Sequence, residues 1–136
     1  MELSVTMIKD HIGKIRKVLS GHKKVDYAFI FGSISKKPLP DSDVDILIGG
    51  YLERFEKIDL AMELELILKR KVDVVLASEA PCELVLTALA AGLPVLINNK
   101  QALKRDYFKN IYSYEDNRTL RELRILRIKR KYSYGR

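Results

Sequence analysis

Three carboxylates and one glycine-serine turn carry the chemistry open to this sequence. Asp43 and Asp45 flank Val44 and run into Ile46-Leu47-Ile48, so the stretch reads as a strand that opens with two acids. Alternate strand residues share a face, which sets both carboxylates on one side and Val44, Ile46 and Ile48 on the other. Two like charges held so close are costly without a cation between them, and their oxygens suit Mg2+. Asp73 interrupts Val72-Asp73-Val74-Val75 in the same way, and an acid in an apolar strand calls for pairing or a metal. The three acids converge if these strands pair.

Gly32-Ser33 supplies a second ingredient. Glycine lets a phosphate approach the backbone, and a helix starting at Ser33 would aim free N–H groups and its hydroxyl at that anion. Taken alone the dipeptide is a common turn. Beside the acids it becomes the phosphate half of a site for phosphoryl or nucleotidyl transfer, in which positioning and charge neutralisation do most of the catalysis. Lys36 adds a point charge within reach of such a phosphate, or is simply part of a solvated loop with Lys37.

The elements that must position these residues follow from periodicity. Val5, Ile8, Ile12, Ile15 and Leu19 recur at helical spacing, with Ser4 as a possible cap. Residues 25–31 read as a buried strand, 36–42 as a proline-containing loop, and 43–48 as a second strand stopped by Gly49-Gly50. Residues 55–68 suit a helix buried over a wide face, through Ile58, Met62, Leu64, Leu66, Ile67 and Leu68. A third strand spans roughly 71–76. Pro81 fits the first turn of a helix reaching Ala91, a fourth strand covers 93–97, and 101–131 is helical with a break near Asp116-Asn117. The expected fold is α/β (α+β): a small mixed sheet of about four strands flanked by helices, with a basic C-terminal helix. Residues 1–100 form the domain and 101–136 a helical extension packed on it or on a partner.

With 136 residues the chain fits one domain. Cys82 is the single cysteine, and with His11 and His22 as the only histidines an intramolecular disulfide or a Cys/His zinc cluster is excluded. No leader or membrane-spanning run is evident, so a cytoplasmic chain without a membrane partner is expected. The net charge of +7 is concentrated at one end: residues 118–136 hold eight basic side chains and the single acid Glu122, and the remaining residues balance to zero. His11 and His22 read as surface residues, and Cys82 as a small buried group. Tyr107, Tyr112, Tyr114, Tyr132 and Tyr134 read as packing groups or as acceptors of self-modification. Leu120, Leu123, Ile125, Leu126 and Ile128 lie on the basic helix, and their regularity points to a partner or homo-oligomer interface more than to nucleic acid.

Gly32-Ser33, the nine-residue spacer, Asp43-Val44-Asp45 and the distant Asp73 resemble the signature of DNA polymerase β-like nucleotidyltransferases, and at this length the minimal nucleotidyltransferases, over residues 5–98. The resemblance implies that Asp43, Asp45 and Asp73 bind Mg2+, two ions when ATP is present, and that Gly32, Ser33 and Lys36 hold the triphosphate. The spacer commonly has ten residues, and many members carry arginine where Lys36 stands. Members are typically encoded beside HEPN-domain proteins and look like antitoxins that adenylylate a tyrosine of that toxin. The expected activity is transfer of AMP from ATP to a protein hydroxyl. The alternatives are a non-catalytic antitoxin that occludes its partner through the tail, and nucleotidyl transfer to RNA or a small molecule.

Overall fold

The computed structural model describes residues 2–32, 34 and 42–133. Helix α1 (Glu2–Leu19) leads to β1 (Val25–Phe31), β2 (Val44–Gly50), α2 (Arg54–Leu68), β3 (Val72–Leu76), α3 (Cys82–Ala91), β4 (Leu93–Ile97), α4 (Lys100–Asp116) and α5 (Arg118–Ser133). The strands pair in the order β3-β2-β1-β4. β1 runs antiparallel to β2 and β4, and β2 runs parallel to β3, so the expected mixed sheet is present. The helical break falls at Asn117, as the sequence predicts.

Period-two alternation sorts the strands onto two helical layers. On one face Val25, Ile30, Ile46, Ile48, Val72 and Val74 pack with Ile15 and Leu19 of α1 and with Leu60 and Leu64 of α2. On the other, Tyr27, Phe29 and Leu47 meet Val85 and Ala88 of α3, with Leu103 of α4 alongside. The Tyr27 hydroxyl donates to Asp106 Oδ2 at 2.8 Å and fastens α4 to that second face. Burial, together with this bond to a carboxylate, pushes the Tyr27 hydroxyl pKa up.

Several boundaries differ from the periodicity. α1 begins at Glu2, so Ser4 lies inside the helix and does not cap it. β2 continues through Gly49 and Gly50, which pair with Tyr27 and Val25. The Tyr27 ring occupies the space a Cβ on Gly49 would need, which explains a glycine in strand geometry there. β3 starts at Val72, and Pro81 is the N-cap of α3 rather than a residue of its first turn. α2 buries only Leu60, Leu64 and Leu68, because the sheet touches one stripe of it; Ile58, Met62 and Leu66 face outward. His11 is the clearest reversal: it is buried, it feels the Arg70 charge, and neither ring nitrogen has a hydrogen-bond partner among the described residues. Cys82 is half-buried. No helix of the described residues is long and apolar enough to cross a membrane.

Candidate active site

Strand register brings the expected acids to one end of the sheet. Phe31 is opposite Asp45, and Asp45 is opposite Asp73, so the three stand in one row across β1, β2 and β3. Neighbouring strands lie about 4.8 Å apart, which makes the two carboxylates immediate cross-strand neighbours. Asp43 stands two residues before Asp45, ahead of the strand proper. Gly32 closes the group from β1. Its φ of +81° belongs to the left-handed region, and a Cβ built on it would run into Asp45 Oδ2. Glycine is therefore needed there twice, for the turn and for the approach of that carboxylate.

Asp45 is half-buried, whereas Asp43 and Asp73 are exposed. The expectation that Asp73 sits in an apolar interior is corrected: β3 is an edge strand, and its polar face is open to solvent. Desolvation, followed by the charges of Asp73 and Asp43, pushes the Asp45 carboxyl above the usual carboxylate range. Among the described residues no three His, Cys, Asp or Glu side chains close into a metal-binding cluster. The open arrangement still fits Mg2+, which takes one or two carboxylates and completes an octahedron with water and phosphate. Ser33 and Lys36, the expected triphosphate contacts, lie outside the described residues.

A short turn fixes the backbone on both sides of Asp43. Arg70 Nη1 donates to the Ser42 carbonyl at 3.1 Å, and the Val44 N–H donates to the Lys71 carbonyl at 2.9 Å. Arg70 Nη2 reaches Met7 Sδ at 2.8 Å, which ties the same turn to α1. Lys69 makes the reversal possible with a φ of +56°, and Glu65 Oε1 accepts from the Val72 N–H at 3.1 Å to start β3. Arg70 was not legible as a site residue, since within Lys69-Arg70-Lys71 it reads as one of three solvated charges. A cavity of about 740 Å³ lies at the opposite end of the sheet between Asp26, Tyr51, Ser78 and α4. The acids thus occupy an open rim rather than that cavity.

The polymerase beta nucleotidyltransferase model matches residues 13–101, a span that contains the whole row of acids. The chain belongs to the polymerase beta nucleotidyltransferase family. Solved structures agree with this family's fold. A chain of a toxin-antitoxin structure with AMP-PNP superposes with a TM-score of 0.74 at 24% identity, covering 87% of this chain and 98% of that one. A chain from the tri-AMPylated Shewanella oneidensis HEPN toxin in complex with MNT antitoxin gives 0.72 at 23% identity, over 89% and 98%. A mutant of the toxin-antitoxin MntA-HpeT gives 0.70 at 26% identity, over 86% and 97%. No curated protein matches the sequence significantly. For a nucleotidyltransferase of this family, Gly32, Asp43, Asp45 and Asp73 stand together at the end of the sheet where β1 turns out and β2 and β3 begin.

Proposed function

We propose that this nucleotidyltransferase transfers AMP from ATP to a hydroxyl, a tyrosine of a HEPN-domain partner, and acts as the antitoxin of that partner. The observation that carries the proposal is the row Asp45–Asp73 with Gly32 against Asp45 and Asp43 beside it, on a chain of the polymerase beta nucleotidyltransferase family. The AMP-PNP and tri-AMPylated toxin complexes among its structural neighbours support the nucleotide and the acceptor class.

Asp43, Asp45 and Asp73 would hold Mg2+. The ion, when bound, neutralises triphosphate charge and favours the ionised form of an attacking hydroxyl. Gly32, having no side chain, lets a phosphate come near the turn, and Ser33 and Lys36 are the proposed further contacts to the triphosphate. Asp73, exposed at the sheet edge, is the carboxylate best placed to meet an acceptor arriving from solvent. Its proton acceptance from that hydroxyl and the cleavage between the α and β phosphates leave an AMP ester and pyrophosphate.

The test is intact-mass measurement of the HEPN partner after incubation with this chain, ATP and Mg2+. A gain of whole AMP groups is expected with the wild type and none with Asp43→Ala or Asp45→Asn. Equal labelling by wild type and Asp45→Asn would overturn the assignment.

A further inference from the structure

The last two helices arrange their exposed side chains by two different periods. On α4, Lys100, Lys104, Phe108 and Tyr112 recur every four residues, so they share one side of the helix, away from the buried Ala102 and the half-buried Asp106. All four are exposed, Phe108 by 53% and Tyr112 by 67%, and the Tyr107 ring props Phe108 edge-on at 5.7 Å. Two rings on the surface beside two ammonium groups suit a ligand that brings both a flat face and negative charge. The acids of α4 do not break the stripe. Asp106 accepts from Tyr27 on the opposite side, and Glu115 and Asp116 follow its end, where Arg118 stands against Glu115 at 4.0 Å.

α5 follows a step of three instead: Arg118, Arg121, Arg124, Arg127 and Arg130. With roughly 3.6 residues per turn, a three-residue step falls about 60° short of a full one, so the five wind round the helix. Leu120, Leu123 and Leu126 wind between them and give α5 no apolar face to set against a partner helix. The first two arginines fasten the helix. Arg118 pairs with Glu122 at 3.2 Å, and Arg121 stacks on Tyr114 at 3.7 Å and pairs with Glu83 at 3.5 Å. Arg124, Arg127 and Arg130 are exposed and have no ion-pair partner among the described residues. Residues 123–136 hold six basic side chains and no acid.

We propose that α4 and α5 bind a single strand of nucleic acid, a function separate from nucleotidyl transfer. Phe108 and Tyr112 stack unpaired bases, Lys100 and Lys104 hold the adjoining phosphates, and Arg124, Arg127 and Arg130 neutralise phosphates further along. The winding of the arginines decides the class of partner. A folded acidic protein presents a fixed surface and meets one side of a helix, whereas these three guanidinium groups are spread over about 120° of its circumference. A flexible polyanion follows them round. The exposed rings point the same way, since a base offers a π-face and an acidic side chain does not. The contacts are to phosphates and bases, so RNA and DNA strands are bound alike.

The experiment is fluorescence anisotropy of a labelled RNA of mixed sequence, about 20 nucleotides long, titrated with the purified full chain in EDTA without ATP, over about 50 to 300 mM NaCl. A Kd between about 1 and 100 µM is expected at the middle of that range, with log K falling linearly against log salt, and a DNA strand of equal length should bind within about threefold. Arg124→Gln, Arg127→Gln and Arg130→Gln combined should reduce the magnitude of the slope by about 2, and Lys100→Gln with Lys104→Gln by about 1.4. Phe108→Ala with Tyr112→Ala should instead weaken binding roughly fivefold or more at every salt concentration and leave the slope alone. All seven positions are exposed, and far-UV circular dichroism verifies that each variant is folded. No binding at the lowest salt, or a slope that the arginine variant leaves unchanged, overturns the proposal. So does a duplex bound as tightly as the single strand, or polyglutamate of equal length competing as well as RNA, which would assign the surface to an acidic protein.

Discussion

Asp45 carries a charge that its surroundings oppose, from partial burial and from Asp73 and Asp43 alike. Its folded-state pKa is raised, so the folded chain binds the proton more tightly than the unfolded one. Stability is therefore greatest below the ordinary carboxylate pKa, falls as pH rises through the raised value, and stays reduced at neutral pH. Asp45→Asn should raise Tm at pH 7 while abolishing AMP transfer, a combination that a merely structural residue would not give. Millimolar Mg2+ should raise the Tm of the wild type by differential scanning fluorimetry and leave that of Asp45→Asn unmoved. Gly32→Ala tests the opposite partner of the same contact. With φ at +81° and Asp45 Oδ2 where the new methyl must go, it should cost at least about 1 kcal/mol and remove most activity. Denaturant melts and the partner-labelling assay read the two effects separately.

The elements around these residues explain how an exposed carboxylate is kept in place. The turn after α2 holds Ser42 through Arg70 and Val44 through Lys71, one bond on each side of Asp43. Arg70→Met keeps a side chain of similar length beside Met7 but removes the hydrogen bond from Arg70 to the Ser42 carbonyl. The concentration of Mg2+ giving half-maximal transfer should rise several-fold with less change in the maximal rate, and Arg70→Lys should recover part of the loss. Equal losses at all Mg2+ concentrations would show that the turn acts only on the fold. Much of the site was readable because strand alternation in Asp43-Val44-Asp45 and the break at Asp73 are local patterns. Arg70 and His11 were not, because what they touch depends on the α2–β3 turn packing against α1, a contact between residues 59 or more apart in sequence. The wide buried face expected of α2 misled for the related reason that periodicity shows apolar positions but not which of them the sheet touches.

Across the whole molecule, two buried or half-buried groups shape stability against pH from opposite sides. His11 is held below its usual pKa, first by desolvation, then by the Arg70 charge; Asp10 works against this and Lys14 with it. Its folded pKa lies under 6.5, so its contribution is fully present above that value and is lost as pH falls below it. Asp45 acts at the other end, lowering stability once pH has risen past its own raised value. The wild type should therefore lose stability both on acidification below about pH 6.5, through His11, and, relative to Asp45→Asn, at every pH where Asp45 is ionised. His11→Leu replaces two buried ring nitrogens that have no hydrogen-bond partner among the described residues by apolar volume and should stabilise by about 1 kcal/mol. It should also flatten the decline between pH 7 and 5. Arg70 acts on His11 through its charge and also holds the Ser42 carbonyl, three residues before Asp45, so the double variant tests whether the two groups are coupled. Urea unfolding at pH 5, 6, 7 and 8 on the wild type, both single variants and the double decides it. Additive shifts mean that the sheet end and the α1–α2 contact respond independently, and a shortfall means that Arg70 transmits strain from one to the other.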